Sequence, residues 1–224
     1  YLNFGSNDYL GLRHDQGVLQ AWVEGLAQFG AGSGASPLVT GYSVAHRELE
    51  LMLAEALGYD AVVLFNSGFA ANQAVCQALF ASTGEIIADK FMHASFIEGA
   101  LASHGNLRRF AHNDTAHLKT LLTKCEGPNR LIASEGVFSM DGDSPDVNAL
   151  VSCAKQSDSW LMLDDAHAFG VTGDNGLGSV ETFGLKQQDC QIVMGTFGKA
   201  VGTAGAFVAG SHSLIDYLVN YARH

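Results

Sequence analysis

From Ser43 onward, short apolar runs alternate with segments of helical periodicity, and this constrains the fold more than any other feature of the chain. The runs are Ala61–Phe65, Ile86–Ala88, Leu107–Ala111, Leu131–Ser134, Trp160–Leu163, Gln191–Met194 and Ala206–Ala209. Each reads as a buried strand. Between them, Ser67–Phe80, Ala94–Ser103, Thr115–Lys124 and Asp146–Gln156 read as helices, and a last helix begins near Ser213. Ahead of the first strand, Ser43 caps a helix in which Leu49, Leu53 and Leu57 recur on one face, with Gly58 as its stop. Strands alternating with helices predict an α/β fold, a mainly parallel central sheet with helices on both faces. Ligands of such sheets gather outside the carboxyl ends of the strands. Those ends are where chemistry should be sought.

Two of them carry complementary groups. Trp160-Leu161-Met162-Leu163 runs into Asp164-Asp165-Ala166-His167, and Gln191-Ile192-Val193-Met194 runs into Gly195-Thr196-Phe197-Gly198-Lys199. An acid at the end of one buried strand and a lysine just past the next suit pyridoxal phosphate (PLP). The lysine joins the aldehyde as an imine, and the carboxylate keeps the pyridine nitrogen protonated. Taken singly, the lysine is an ordinary surface residue and the acid an ordinary helix cap. Their order and setting favour the cofactor. Gly198-Lys199 does not complete a Walker-type loop, because Val193 and Ala200 stand where that loop needs a glycine and a hydroxyl.

Other strand ends add candidates. Ser67-Gly68-Phe69 leads from a strand into a helix, whose free N–H groups and positive dipole end hold a phosphate, and Gly68 lets the backbone approach. A plain serine cap followed by glycine explains the same residues. Thr196 adds a hydroxyl to that phosphate. His93 either stacks on a planar cofactor or caps the next helix, and His167 can hydrogen-bond a phenolic oxygen. Glu135 and Ser139 lie past another strand end, in an acidic stretch that Pro145 and Asp146 disqualify as a calcium loop. Gly30-Ala31-Gly32-Ser33-Gly34-Ala35 matches a dinucleotide fingerprint but follows the helical stretch Val18–Phe29, not a strand. It reads as a glycine-rich loop bordering the substrate. A dinucleotide-binding oxidoreductase and a PLP-binding protein without activity are the rival classes. GxSxG and HExxH are absent, His112 and His117 are too isolated to be metal ligands, and no metal is expected.

Composition closes off further classes. The 224 residues suit one large α/β domain, or one plus a fragment, and 47% hydrophobic against 16% charged residues supply a sizeable core. The 26 glycines against 3 prolines indicate tight turns and close backbone approaches. A net charge of −11 argues against nucleic acid and against anionic membranes. No apolar run approaches the roughly 20 residues of a membrane span. Cys76, Cys125, Cys153 and Cys190 lie far apart without a CxxC, the pattern of a reduced, cytoplasmic protein. The chain opens on Tyr1-Leu2-Asn3-Phe4 and stops at Tyr221-Ala222-Arg223-His224 within a helical pattern, so a piece of a longer protein is expected.

In this order the residues resemble the α-oxoamine synthases, PLP enzymes of the type I aminotransferase fold. The likeness runs through Ser6-Asn7-Asp8-Tyr9-Leu10-Gly11-Leu12, Gly41-Tyr42-Ser43 with His46, Ser67–Asn72, His93-Ala94-Ser95, Ala111-His112-Asn113-Asp114, Glu135–Asp143, Asp164–His167 and Thr196–Lys199. The resemblance implies that Lys199 carries PLP, Asp164 pairs with the pyridinium and His167 with the phenolic oxygen. It implies that His93 stacks on the ring, Ser139 lies beside it, and Gly68, Phe69 and Thr196 hold the phosphate. Lys199, His93 and Asp164 would be catalytic, and Asn7 and His93 would meet the substrate. Residues 1–40 would form an N-terminal segment and substrate-bordering loop, and 41–224 the PLP-binding large domain, with the family's C-terminal small domain missing. A cytoplasmic homodimer is implied. So is the condensation of L-alanine with a pimeloyl thioester, on coenzyme A or acyl carrier protein, with loss of CO2, as in biotin synthesis. Phe197 and Gly41-Tyr42-Ser43 favour this substrate pair, since relatives using glycine or serine more often have Leu at the first and lack the second. Another acyl condensation, such as glycine C-acetyltransferase, is the alternative. Pro37 stands where some relatives have a basic residue, which leaves the acyl contacts open.

Overall fold

The computed structural model describes residues 3–222, so the expectation about the chain's last two residues lies outside it. After a 3-10 turn at Leu12–His14 come α1 (Gln16–Phe29) and α2 (Val44–Leu57). The alternating part then runs β1 (Ala61–Phe65), α3 (Gly68–Leu79), β2 (Gly84–Asp89), α4 (Ala94–Ala102), β3 (Gly105–Phe110) and α5 (Thr115–Leu122). It continues through β4 (Arg130–Glu135), α6 (Val147–Gln156), β5 (Trp160–Asp164), α7 (Ser179–Thr182), β6 (Ile192–Thr196), β7 (Ala206–Gly210) and α8 (His212–Tyr221). The strands form one sheet in the order β1-β7-β6-β5-β4-β2-β3. Only β7 runs against its neighbours, pairing antiparallel with β1 and β6, so the expected mainly parallel sheet is what forms.

Helices cover both faces because the strands are apolar on both. Side chains alternate across a strand. Ile87, Ile132, Leu161, Leu163, Val193 and Phe207 therefore pack on one face with Leu53 and Leu57 of α2, Leu118 of α5 and Leu150 of α6. Ile86, Leu131, Met162, Ile192, Met194 and Val208 pack on the other with Val75 of α3, Phe96 of α4 and Leu218 of α8. Gly99 makes the α3–α4 contact close, since a Cβ there would lie 2.8 Å from the Gln73 Cα.

Boundaries moved where polar side chains found partners. β2 runs beyond Ile86–Ala88 to Glu85 and Asp89 because Glu85 accepts from Arg108 and Asn106, and Asp89 accepts from the Phe91 and Asn113 amides. Ser67 and Asp146 stand outside their helices as caps, accepting from Ala70 N and Ala149 N. The strand expected at Gln191–Met194 instead runs Ile192–Thr196, because the Gln191 side chain turns back to cap Leu161 N.

The N-terminal segment touches this body at a defined point. Gly202 adopts φ 72°, and a Cβ there would lie 2.6 Å from Arg13 N, so the backbone of Leu12 and Arg13 sits on the loop after Lys199. By contrast α1 buries none of its residues, and Trp22, Val23 and Leu26 are exposed.

Candidate active site

The strand alternation that divides the core also aims the polar ends. Glu135 ends β4 in step with Leu131 and Ala133, Asp164 ends β5 in step with Met162, and Thr196 ends β6 in step with Met194. All three therefore face the α3–α4 side, where they line a cleft of about 150 Å³ with Gly68, Phe69, His93, His167 and Lys199. Asp165 follows the opposite parity. It is buried away from the cleft, where its Oδ2 accepts from Ser179 N at 2.7 Å.

Asp164 is held from two sides. Its Oδ1 accepts from Ala166 N at 3.0 Å and its Oδ2 from Asn72 Nδ2 at 2.8 Å. Asn72 also donates to Ser95 Oγ at 3.0 Å, and Ser95 Oγ lies 2.7 Å from His93 Nδ1. A buried amide on α3 thus links the carboxylate to the imidazole. His93 caps a helix, accepting from Ser95 N, and it also borders the cleft. Ser67 likewise caps α3, whose first N–H groups, those of Gly68 and Phe69, precede the intrahelical ladder. A Cβ at Gly68 would lie 3.5 Å from Met194 Cε and 4.0 Å from Thr196 Cβ, filling the space between the helix start and the threonine.

On the opposite wall Lys199 Nζ lies 2.7 Å from His167 Nε2, and His167 Nδ1 lies 2.6 Å from Tyr9 Oη. Burial depresses the Lys199 ammonium, against the pull of Asp164 and Glu135. Burial, then the charges of Lys199 and His93, press His167 down to about 4, so this imidazole is neutral at physiological pH. Burial beside Asp164 raises Glu135 to about 8, so it carries a proton where an exposed glutamate would not. The site therefore offers a desolvated amine, a fixed carboxylate, a neutral imidazole, a protonated carboxyl and a helix N-terminus around one cleft.

Not every expected residue gathers there. Ser139 is exposed and outside the cleft lining. Asn7 is exposed and lies against Tyr9, not in the cleft. Gly30–Ser33 border a separate apolar groove beside α1 and the start of α2. The expectation that His112 is isolated is corrected. Its Nδ1 lies 3.0 Å from Asp89 Oδ1 and its Nε2 2.9 Å from Asp143 Oδ2, with Asp141 close by. Both ring nitrogens are taken, so His112 braces the end of β2 against the loop after β4. All four cysteines are free and buried. Among the described residues no helix is long and apolar enough to cross a membrane.

Three contributors had no role assigned to them from the sequence. Asn72 looked like a polar interruption, Tyr9 was one letter in an N-terminal motif, and Glu135 carried no assigned role. Parity with Asp164 could have found Glu135. Nothing local could have found the other two, since their partners lie 92 and 158 residues away.

Comparison with known proteins places the chain among relatives. Residues 1–224 match the aminotransferase class I and II family. The chain is 52% identical over 225 residues to an 8-amino-7-oxononanoate synthase of Aeromonas hydrophila, covering all of this chain and 56% of that protein. It is 49% identical over 224 residues to one of Vibrio atlanticus, covering all of this chain and 54% of that protein. The chain thus spans little more than half the length of these curated relatives. Among solved structures, serine palmitoyltransferase K265A from S. paucimobilis, with a bound PLP–myriocin aldimine, superposes with TM-score 0.92 at 32% identity, covering 98% of this chain and 57% of that one. An 8-amino-7-oxononanoate synthase from Francisella tularensis superposes with TM-score 0.85 at 32% identity, covering 98% and 61%.

Proposed function

The chain belongs to the aminotransferase class I and II family, and from that premise we propose that it is the PLP-binding part of an 8-amino-7-oxononanoate synthase. The full-length enzyme would condense L-alanine with a pimeloyl thioester, on coenzyme A or acyl carrier protein, in cytoplasmic biotin synthesis. The observation that carries this reading is the Lys199 amine and the Asp164 carboxylate facing one buried cleft from neighbouring strand ends. The relatives named above supply the choice of substrates.

The residues present suit PLP. A phosphate fits the N–H groups at the start of α3 beside Gly68 and Thr196, where the helix dipole is positive. A ring nitrogen fits Asp164, whose two oxygens are already steadied by Ala166 N and Asn72. His93 would cover a ring face, and Lys199 would anchor the aldehyde. Bound there, PLP supplies an aldehyde that captures amines and a protonated ring that withdraws electrons from the captured amino acid.

The chain's own groups do the rest. Desolvation pushes the Lys199 ammonium down toward the neutral amine, and with alanine held in its place the same atom would take the Cα proton as general base. The Asp164 charge keeps the ring-nitrogen proton in place. The new bond would join alanine Cα to the thioester carbonyl carbon, sulfur would depart with the C–S electrons and take up a proton, and the alanine carboxylate would leave as CO2, its electron pair taking a proton back at Cα. His93 and Asn7 would border the amino acid. The uncovered apolar side of α1, with Trp22 and Leu26, supports burial in a homodimer.

Borohydride reduction of the PLP-loaded full-length protein, followed by peptide mass spectrometry, should find the cofactor on Lys199. Steady-state rates with alanine, glycine and serine against acetyl, succinyl and pimeloyl thioesters then decide the substrates. Preference for glycine with an acetyl thioester would sink the biotin assignment and leave the family assignment standing.

A further inference from the structure

We propose that Tyr9 is a positioning residue for Lys199: its hydroxyl donates to His167 Nδ1, fixes the imidazole proton on Nε2, and so turns the ring into a donor toward the lysine amine. Tyr9 Oη, His167 and Lys199 Nζ form a continuous line, with contacts of 2.6 Å and 2.7 Å at the two ring nitrogens. A neutral imidazole has one donor and one acceptor nitrogen, and the bond made by one sets the role of the other. The phenol has one proton and two nearby acceptors, His167 Nδ1 at 2.6 Å and Asn7 Oδ1 at 3.2 Å. The shorter contact takes it. With the Asn7 amide turned over, its nitrogen would donate to the phenol oxygen.

The consequence is a bias on the lysine proton. An imidazole donating through Nε2–H stabilises the neutral amine, whereas one accepting at Nε2 would stabilise the ammonium. The other groups facing this pair are Asp164 and Glu135, which favour the ammonium, and His93, which disfavours charge on His167. Asp164, joined by Glu135 once that carboxyl ionises, would thus hold the amine in its inert form, and the N-terminal segment supplies the counterweight. Tyr9 reaches this point because Leu12 and Arg13 are seated on Gly202, just past the lysine. The proposal's bearing on cofactor capture rests on the function proposed above; the proton assignment does not.

The test uses full-length protein freed of cofactor. Pulse acetylation of Lys199 across pH 6–11, read by peptide mass spectrometry, gives the midpoint at which the amine becomes reactive. Tyr9→Phe, which keeps the ring and removes only the hydroxyl, should move that midpoint up by about half to one pH unit, the size of one hydrogen bond's net worth. In a His167→Asn background the same change should move nothing, because the phenol acts through the imidazole. Equal midpoints in wild type and Tyr9→Phe would overturn the proposal, as would an equal shift in the His167→Asn background. A measurement free of variants decides it as well: ¹⁵N spectra of the wild-type histidines should show His167 as the Nε2–H tautomer, and the Nδ1–H tautomer would overturn it. Adding PLP and then borohydride separates the two levels of inference. A reduced adduct on Lys199 that needs higher pH in Tyr9→Phe supports the link to capture. No adduct on Lys199 removes the functional reading and leaves the proton assignment to the acetylation and the spectra.

Discussion

Glu135 and Asp164 are register partners on adjacent parallel strands, both buried, both facing the same cleft. Two like charges so placed cannot both be comfortable. Asp164 has the Asn72 amide and the Ala166 N–H, so the proton belongs on Glu135, whose carboxyl is lifted by burial and by Asp164 from 4.5 to about 8. The arrangement keeps one acid ionised by holding its neighbour neutral.

This predicts a pH-dependent stability with a definite sign. A group raised in the folded state contributes stability that is fully present below its unfolded value and is lost as pH climbs through the folded value. For Glu135 the window runs from 4.5 to about 8. Glu135→Gln mimics the neutral form, so its melting temperature should match wild type near pH 5 and exceed it by several degrees near pH 9. A kcal/mol corresponds to roughly 2–4 °C at this size. Thermal melts of both proteins across pH decide it; a variant that loses as much stability as wild type on going alkaline would place the excess proton elsewhere.

Asp164→Asn keeps the size of the side chain and removes its charge. Cofactor should still bind, but exchange of the alanine Cα hydrogen should slow by about 10²–10⁴, the usual range for loss of such a proton-holding group. Asp165→Asn should leave exchange close to wild type, because Asp165 bonds Ser179 N on the far side of the strand. Deuterium incorporation into alanine, followed by NMR, separates the two. The reverse ranking would contradict the strand parity.

That parity marks how far the sequence could be read. Lys199, Asp164, His167, Thr196, Gly68 and Phe69 were legible because each follows an apolar run, and in a parallel sheet every run delivers its end to the same side. The alternation also predicted the sheet itself, though not that β7 would run backwards, since nothing in Ala206–Ala209 encodes direction. Asn72 was illegible for a different reason. On α3 it looks like a polar gap in an apolar helix, and its meaning comes from Asp164, brought beside it only by the crossover. Ser139 stands apart: the resemblance puts it beside the ring, and in this chain it lies exposed, past the end of β4 and outside the cleft lining.

Asn72→Leu tests the buried amide. The substitution removes donors from Ser95 Oγ and Asp164 Oδ2, leaving a buried carboxylate oxygen without its partner. Such an orphan costs about 1–3 kcal/mol, more where the group is charged. The melting temperature should fall by several degrees at neutral pH. Asn72→Asp should do worse than Asn72→Leu at neutral pH, since it adds a third acid to the pair. If both variants melt like wild type, the amide is not what steadies Asp164.

Lys199→Ala should separate attachment from architecture. The lysine lies beyond the end of β6, and its amine contacts His167 and no apolar cluster. Removing it therefore takes no packing from the core, and far-UV circular dichroism and melting behaviour should stay close to wild type. What should disappear is the borohydride-reducible link to PLP and its near-visible absorbance. Non-covalent cofactor retention should survive in part, because the α3 N-terminus and Asp164 are untouched. The amine is the only lysine nitrogen among the cleft-lining groups; Lys90, Lys119, Lys124, Lys155 and Lys186 all lie elsewhere. A variant that still yields a reduced adduct, mapped by mass spectrometry to one of those five, would show that the anchor had been misassigned. With it would fall the roles given to His167 and Tyr9.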